Sequence, residues 1–342
     1  MGTRRDASGG RTRQADHTGD TRRAGPPVVV VTGASSGIGR ETARRFARRG
    51  SRLVLASRSR PALETVAREC RAAGAEVLVV PTDVSDERSV DALAAAAVAE
   101  FGGIDVWVGN AGVFAYGAFE DLPSEVFRQV VETDLMGQVH GARAALRHFR
   151  PQGHGTLVLI GSLYAQVGSP AISPYATSKF GLRGFAECLR AELRGSGIRV
   201  RLVLPSTIDT PIYRNAANFT GRRVRPLPPV TSPQRVARAI LRAPRSHRFA
   251  IPVGRIQTAV RPVHDLAPPV YDAVAAWLMD HVELHGRGPA ADPGTVITAP
   301  RAAGAVTGGW RSPGLRLAIG AIAAAAGGLL LSRRMREANR RT

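Results

Sequence analysis

Residues 28–31 are four consecutive valines. An uninterrupted β-branched run of that length fits a strand buried on both faces of a sheet. Short apolar runs of the same kind recur at 53–56, 77–80, 106–108, 156–160 and 200–204, and a seventh lies at 249–253. Longer stretches between them carry helical spacing. One runs from the glycine-rich turn after 28–31 to about residue 49, and others cover 60–73, 87–101, 124–149, 175–195 and 233–243. Strands alternating with helices predict an α/β fold: a doubly wound, mostly parallel seven-stranded sheet of the Rossmann-like type, with right-handed crossovers and helices on both faces. That domain is expected to span 26–254.

The remaining segments read differently. Residues 1–25 are rich in Arg, Gly, Thr and Asp and are expected to be a disordered basic N-terminus. They lack an apolar core and are not expected to act as a signal peptide. Residues 206–230 form a long Pro-, Thr- and Arg-rich connection at the carboxyl edge of the expected sheet, the usual place of a lid or binding loop. A helical extension is expected over 255–285, with one helix at 265–285. Residues 286–313, rich in Gly, Pro and Ala, read as a flexible linker, and 314–342 as an apolar helix with a basic tail.

The formal net charge is +20, of which residues 301–342, with eight Arg against Glu337, carry +7. A balance this basic raises nucleic acid as a partner. No helix-turn-helix, zinc-finger or aromatic RNA-binding motif accompanies it, and 47 Lys and Arg that include a single Lys look like a compositional bias. Specific nucleic-acid binding is therefore not expected. A phosphorylated small molecule accounts for part of the charge more economically. Cys70 and Cys188, each in an expected helix, read as reduced packing residues, with no disulfide framework or metal site.

The single lysine, Lys179, follows Tyr175 by four residues in Tyr175-Ala176-Thr177-Ser178-Lys179. Positions i and i+4 share one helical face, so phenol and ammonium can enter one site. Gly33, Gly37 and Gly39 lie between an expected strand and an expected helix. There glycine permits close backbone approach, and the helix N-terminus offers N–H groups and a positive dipole end to a pyrophosphate.

In these motifs the chain resembles the short-chain dehydrogenase/reductase family. Thr32–Gly39 matches its cofactor loop, Asp83-Val84 its adenine-contacting pair, and Asn110-Ala111-Gly112 the motif after its fourth strand. Ser162, Tyr175 and Lys179 match its catalytic set in order. Pro205 and Thr210 match its Pro-Gly-x-x-x-Thr stretch, with Ser206 replacing the glycine. The resemblance covers about residues 28–254. It implies that Gly33, Ser35, Ser36, Gly37, Ile38, Gly39, Asp83, Val84, Asn110, Ala111, Gly112, Tyr175, Lys179, Pro205, Thr207 and Thr210 hold a nicotinamide dinucleotide. It further implies that Ser162 binds the substrate oxygen while Tyr175 exchanges its proton. Free Tyr, with a pKa of about 10, is a poor acid–base group at neutral pH. Lys179 is expected to lower it. Where the family usually carries an Asn, whose main chain anchors a proton-relaying water, this chain has Asp134. A carboxylate there is expected to weaken the effect of Lys179 on Tyr175, so Asp134 joins the catalytic candidates.

The second strand ends Ala56-Ser57-Arg58-Ser59-Arg60, without the acid that binds the adenosine 2′-hydroxyl of NAD. Arg58 can fork onto a 2′-phosphate, so NADP(H) is the expected cofactor. Val113, Phe114, Tyr116, Leu163, Tyr164, Ile208 and Tyr213 are expected to line an apolar pocket for an alcohol or carbonyl compound. The alternative is a non-catalytic NADP-binding or membrane-associated scaffold. The resemblance also implies a homo-oligomer through the 124–149 and 175–195 helices. Residues 317–331 run 15 positions without a charge, short of the ~20 a spanning helix needs. Arginines follow them on the C-terminal side, which would place a spanning protein's body away from the cytoplasmic nicotinamide pool. A cytoplasmic protein is therefore expected. Membrane contact through 315–331, by an interfacial or re-entrant helix, and oligomer packing both stay open.

Overall fold

The computed structural model describes residues 25–254, 256–299 and 303–311. Most of the basic N-terminus and the apolar stretch at 317–331 lie outside the described residues.

Seven parallel strands form the central sheet: β1 Val28–Thr32, β2 Arg52–Ser57, β3 Val77–Pro81, β4 Val106–Gly109, β5 Gly155–Ile160, β6 Ile198–Pro205 and β7 Ala250–Val253. Their order is β7-β6-β5-β4-β1-β2-β3. The valine run becomes β1 because its alternation feeds two cores at once. Val28 and Val30 pack toward Leu93, Ala145 and Leu182. Val29 and Val31 pack toward Phe46, Leu63 and Ile240. The first core lies under α3 Glu87–Phe101, α5 Gly137–Gln152 and α6 Ser173–Glu192; the second lies under α1 Gly37–Ala47, α2 Arg60–Ala72 and α7 Pro233–Arg242. Each fully buried valine side chain contributes roughly 1.5–3 kcal/mol relative to exposure. Chain order reverses between β1 and β4, so the carboxyl ends of these two strands open the crevice in which doubly wound sheets bind ligands.

The expected helix at 124–149 is continuous in path but not in winding. α4 Ser124–Val131 passes through a π turn, Glu132–Met136, before α5. Such turns redirect one side chain relative to the regular ladder and concentrate at functional sites. Here the turn buries Thr133 and Asp134.

Beyond the sheet the structure departs from the expectations at several points. The 206–230 connection is partly structured: Ala217–Asn218 pairs with Ala115–Tyr116, and Arg222–Val224 pairs with Leu284–Arg287. The helix expected at 265–285 is shorter: α9 Pro268–Leu278 passes through a π turn, Met279–Glu283, into a strand that starts at Leu284, and a separate helix, α8 Ile256–Leu266, precedes it. Pro268 separates the two helices, since proline pushes the residue before it out of the helical region, and Ala267 sits at φ −144°. Residues 286–313, read as a linker, fold back where described. Val296 is fully buried, and the Trp310 amide donates to Asp209 Oδ1 at 2.9 Å. Their contacts are largely main-chain, so composition did not reveal them. Cys70 is buried, but Cys188 is exposed. A third core, with Phe114, Tyr116, Ile172 and Met279, joins the C-terminal extension to the sheet edge. Among the described residues no helix is long and apolar enough to cross a membrane.

Candidate active site

The glycine loop is built by steric exclusion. Gly33 has φ +64°, and a Cβ there would lie 2.8 Å from Ala111 Cα. A Cβ on Gly39 would lie 2.1 Å from the Gly33 carbonyl oxygen. Thr32 and Asn110 fasten this turn to the end of β4. The Asn110 and Ala111 amides donate to Thr32 Oγ1 at 3.0 and 3.1 Å, and Asn110 Nδ2 donates to the Thr32 carbonyl at 2.9 Å. The loop leads into α1, whose Ser36 N-cap makes no side-chain capping bond.

On the other side of the crevice, Ser162 stands just past β5, and its Oγ accepts from the Tyr164 amide at 3.2 Å. Tyr175 and Lys179 sit one turn apart on α6, both buried. The Lys179 ammonium donates to the Ile160 carbonyl at 3.2 Å and pairs with Asp134 Oδ2 at 3.2 Å. It lies 5.3 Å from the Tyr175 ring centroid. Asp134 Oδ1 accepts from the Val113 amide at 2.7 Å. Asp134 is thus a fully buried ion-pair partner of the lysine, carried on the π turn.

This changes the electrostatics. Burial pushes the Tyr175 phenol up, Lys179 pulls it down, Asp134 pushes it up again and a hydrogen bond with Ser162 pulls it down; the net direction is upward. The lowering expected from Lys179 alone is reversed, because burial adds to the opposing carboxylate. Burial also raises Asp134, against the Lys179 charge and the Val113 N–H. Burial depresses Lys179, but Asp134 and Tyr175 more than offset it and its pKa is raised.

A single cavity of about 580 Å3 runs from the glycine loop past Ser162 and Tyr175 to the C-terminal extension. Every residue expected to hold the dinucleotide lines it except Gly39. Gly39 lies behind the loop, packed against Gly33 and Asn110. Of the expected pocket residues, Val113, Phe114, Leu163, Tyr164, Ile208 and Tyr213 line the cavity. Tyr116 does not; it is wholly buried behind Phe114, their rings stacked at 4.7 Å.

Two features were not legible in the sequence. First, residues 295–299 and 303–310 lie across the glycine-loop end. The Arg58 guanidinium donates to the Thr295 carbonyl at 2.6 Å and to the Ile297 carbonyl at 3.3 Å. The Gly37 amide donates to the Ala305 carbonyl at 3.1 Å, and Arg40 donates to the Gly304 carbonyl at 2.8 Å. The glycine cradle and the first turn of α1 still fit a dinucleotide phosphate. Arg58 and Gly37, however, would exchange carbonyl partners for it. Second, Glu283 lines the opposite end of the cavity, buried, and its Oε1 accepts from the Tyr116 hydroxyl at 2.6 Å. Burial lifts its carboxyl to about 7, against the Tyr116 hydrogen bond.

Comparison with known proteins agrees with this fold. The family profile described as short chain dehydrogenase matches residues 27–220. The uncharacterized oxidoreductase YxnA of Bacillus subtilis is 34% identical over 260 residues, covering 74% of this chain and 72% of that protein. The cis-4-hydroxycyclohexanecarboxylate dehydrogenase of Sinomonas cyclohexanicum is 39% identical over 219 residues, covering 62% of this chain and 87% of the enzyme. Among solved structures, a short chain dehydrogenase/reductase from Burkholderia phymatum in complex with NAD matches with TM-score 0.65 at 28% identity, over 72% of this chain and 96% of that one. The actinorhodin polyketide ketoreductase with NADPH matches with TM-score 0.61 at 31% identity, over 67% and 95%.

Proposed function

The chain belongs to the short-chain dehydrogenase family, and on that premise we propose that it is an NADP(H)-dependent oxidoreductase that interconverts an alcohol and a ketone or aldehyde on a largely apolar substrate. The observation that carries this reading is the convergence of Ser162, Tyr175 and the lysine-carboxylate pair Lys179–Asp134 on one buried wall of the cavity that the glycine loop also lines. A scaffold without catalysis is not favoured, since the relatives are oxidoreductases.

When bound, the nicotinamide cofactor supplies or accepts the hydride. The chain's own residues do the rest. Ser162 Oγ and Tyr175 Oη hold the substrate oxygen. In the reducing direction Tyr175 gives its proton to that oxygen; in the oxidising direction it takes the proton back. A phenol raised by burial is well suited to hold its proton until a carbonyl needs it. Lys179 stabilises the phenolate left behind. Asp134 is a positioning residue that fixes the ammonium and tempers its charge.

The NADP(H) preference is supported by the absence of a carboxylate at the end of β2 and by Arg58 on the cavity wall. Phosphate oxygens would replace the Thr295 and Ile297 carbonyls on its guanidinium, with a bidentate, charge-assisted gain. A homo-oligomer through α4–α6 and membrane contact through 315–331 belong to the same proposal. The test is NADPH consumption by the full chain over a panel of apolar aldehydes and ketones, with Tyr175→Phe alongside and NADPH affinity measured by fluorescence. Turnover that disappears in Tyr175→Phe at unchanged NADPH affinity supports the reading. Turnover unaffected by that change overturns it.

A further inference from the structure

The substrate end of the cavity ends in a polar spot. Glu283 lies on a π turn, Met279–Glu283, between α9 and the strand Leu284–Arg287. It is 3% exposed and lines the cavity. One carboxyl oxygen is satisfied by the Tyr116 hydroxyl at 2.6 Å. Among the described residues no Lys, Arg or His pairs with it. The titratable side chains whose charge interacts with it are the phenols of Tyr116, Tyr164 and Tyr213, from three different segments. A buried carboxyl with no cation beside it, open on a cavity walled largely by aliphatic and aromatic side chains, is an unusual residue. Its ionisation near 7 means that at neutral pH it offers both a donor and an acceptor form.

Its place relative to the reacting group follows from the aromatic stack. The Phe114 ring centroid lies 4.1 Å from that of Tyr175 and 4.7 Å from that of Tyr116. Tyr175 and the Tyr116–Glu283 pair therefore both border one apolar ring. Val274, Leu278 and Met279 of the extension line the same cavity. A ligand reaching from one pair to the other needs a polar group at each end and an apolar body between.

We propose that Glu283 is a substrate-recognition residue that binds a second hydroxyl group, so that the substrate is an apolar alcohol or carbonyl compound hydroxylated at the end remote from the reacting carbon. A hydroxyl suits this carboxyl in both of its forms, donating to the carboxylate and accepting from the acid. An ammonium would suit only the charged one. The inference deepens the oxidoreductase reading and rests on it for the word substrate; the subsite itself does not need it.

The experiment measures binding to the full-length protein by calorimetry. The probes are 1-alkanols and the matching α,ω-diols from six to nine carbons, with the ω-amino alcohols as a third series. At the matching length the wild type is expected to bind the diol at least tenfold more tightly than the alkanol, although the diol is the less apolar molecule. Glu283→Leu is expected to reverse that order and Glu283→Gln to keep it in part. If Glu283→Leu does not fold, Glu283→Met takes its place. A wild type without a diol preference at any length overturns the proposal. So does a preference that survives in the Leu or Met variant while only thermal stability falls, which would make Glu283 a structural anchor. Tighter binding of the amino alcohols than of the diols overturns the hydroxyl assignment. Incubation of the bound diols with NADP+ is read separately: binding without any turnover counts against the oxidoreductase reading and leaves the subsite standing.

Discussion

Replacing Glu283 by Gln should change how the stability of the protein depends on pH, by an amount that its burial fixes. The carboxyl is held at about 7 in the folded chain, against the usual 4.5. Gln keeps the shape and keeps an oxygen for the Tyr116 hydroxyl, so the two proteins differ chiefly in the ability to ionise. Below pH ~4 the carboxyl is neutral in both folded and unfolded wild type, and the difference between the proteins is a constant. As pH rises through 4.5 the unfolded chain releases its proton freely while the folded one holds it, so folding loses ground. The loss ends once pH exceeds about 7, when both states are ionised. Two and a half pK units at about 1.4 kcal/mol each make the total roughly 3.5 kcal/mol, of which about 3 falls between pH 4 and 8.5. Urea unfolding of both proteins at several pH values from 4 to 8.5, followed by circular dichroism, measures it. Other titrating groups are common to both and cancel in the difference. Wild type should lose about 3 kcal/mol relative to Glu283→Gln across that window. A difference that stays level within about 0.5 kcal/mol, comparable to the additivity error for independent sites, refutes the burial argument. A difference that grows toward acid pH refutes its sign.

Further outcomes follow from the other end of the cavity. Tyr175→Phe should lower kcat by about 10² or more, the scale of a lost proton-transfer group, with NADPH affinity retained in a fluorescence titration. Asp134→Asn keeps an oxygen for the Val113 amide but removes the charge that raises Tyr175. The acid limb of alcohol oxidation in a pH–rate profile should therefore move to lower pH, and an unchanged profile refutes the role given to Asp134. Asp134→Ala leaves Lys179 buried without its partner and should cost about 3–5 kcal/mol in urea unfolding. Arg58→Ala should weaken NADPH about tenfold to a hundredfold, the worth of charge-assisted hydrogen bonds, and NADH much less; an unchanged NADPH to NADH ratio rejects the assignment. Trp310→Ala removes the indole that donates to the Thr210 carbonyl at 3.1 Å and stacks under Arg214 at 4.9 Å. It should loosen residues 303–311 over α1 and lower the Kd for NADPH severalfold.

The amino-acid sequence by itself determined whatever depends on neighbours along the chain. Four valines in a row can serve two cores only as a central strand, and they do. Glycines at 33, 37 and 39 could be read as a turn in which side chains would collide. Tyr175 and Lys179 could be placed on one face because four residues make about one helical turn. Tertiary structure decided the rest, where partners are remote in sequence and ordinary in type. Tyr116 and Glu283 are 167 residues apart, and Arg58 and Thr295 are 237 apart. Nothing local marks a glutamate in Asp280-His281-Val282-Glu283 as buried, or a Gly- and Ala-rich stretch as one whose carbonyls will cover a helix N-terminus. The sign of the Tyr175 shift is the sharpest case. Sequence spacing supplies the ammonium that lowers it, but burial and the carboxylate delivered by a π turn raise it, and both exist only once the chain has closed on itself. Desolvation depends on everything packed around a group, which no single segment contains.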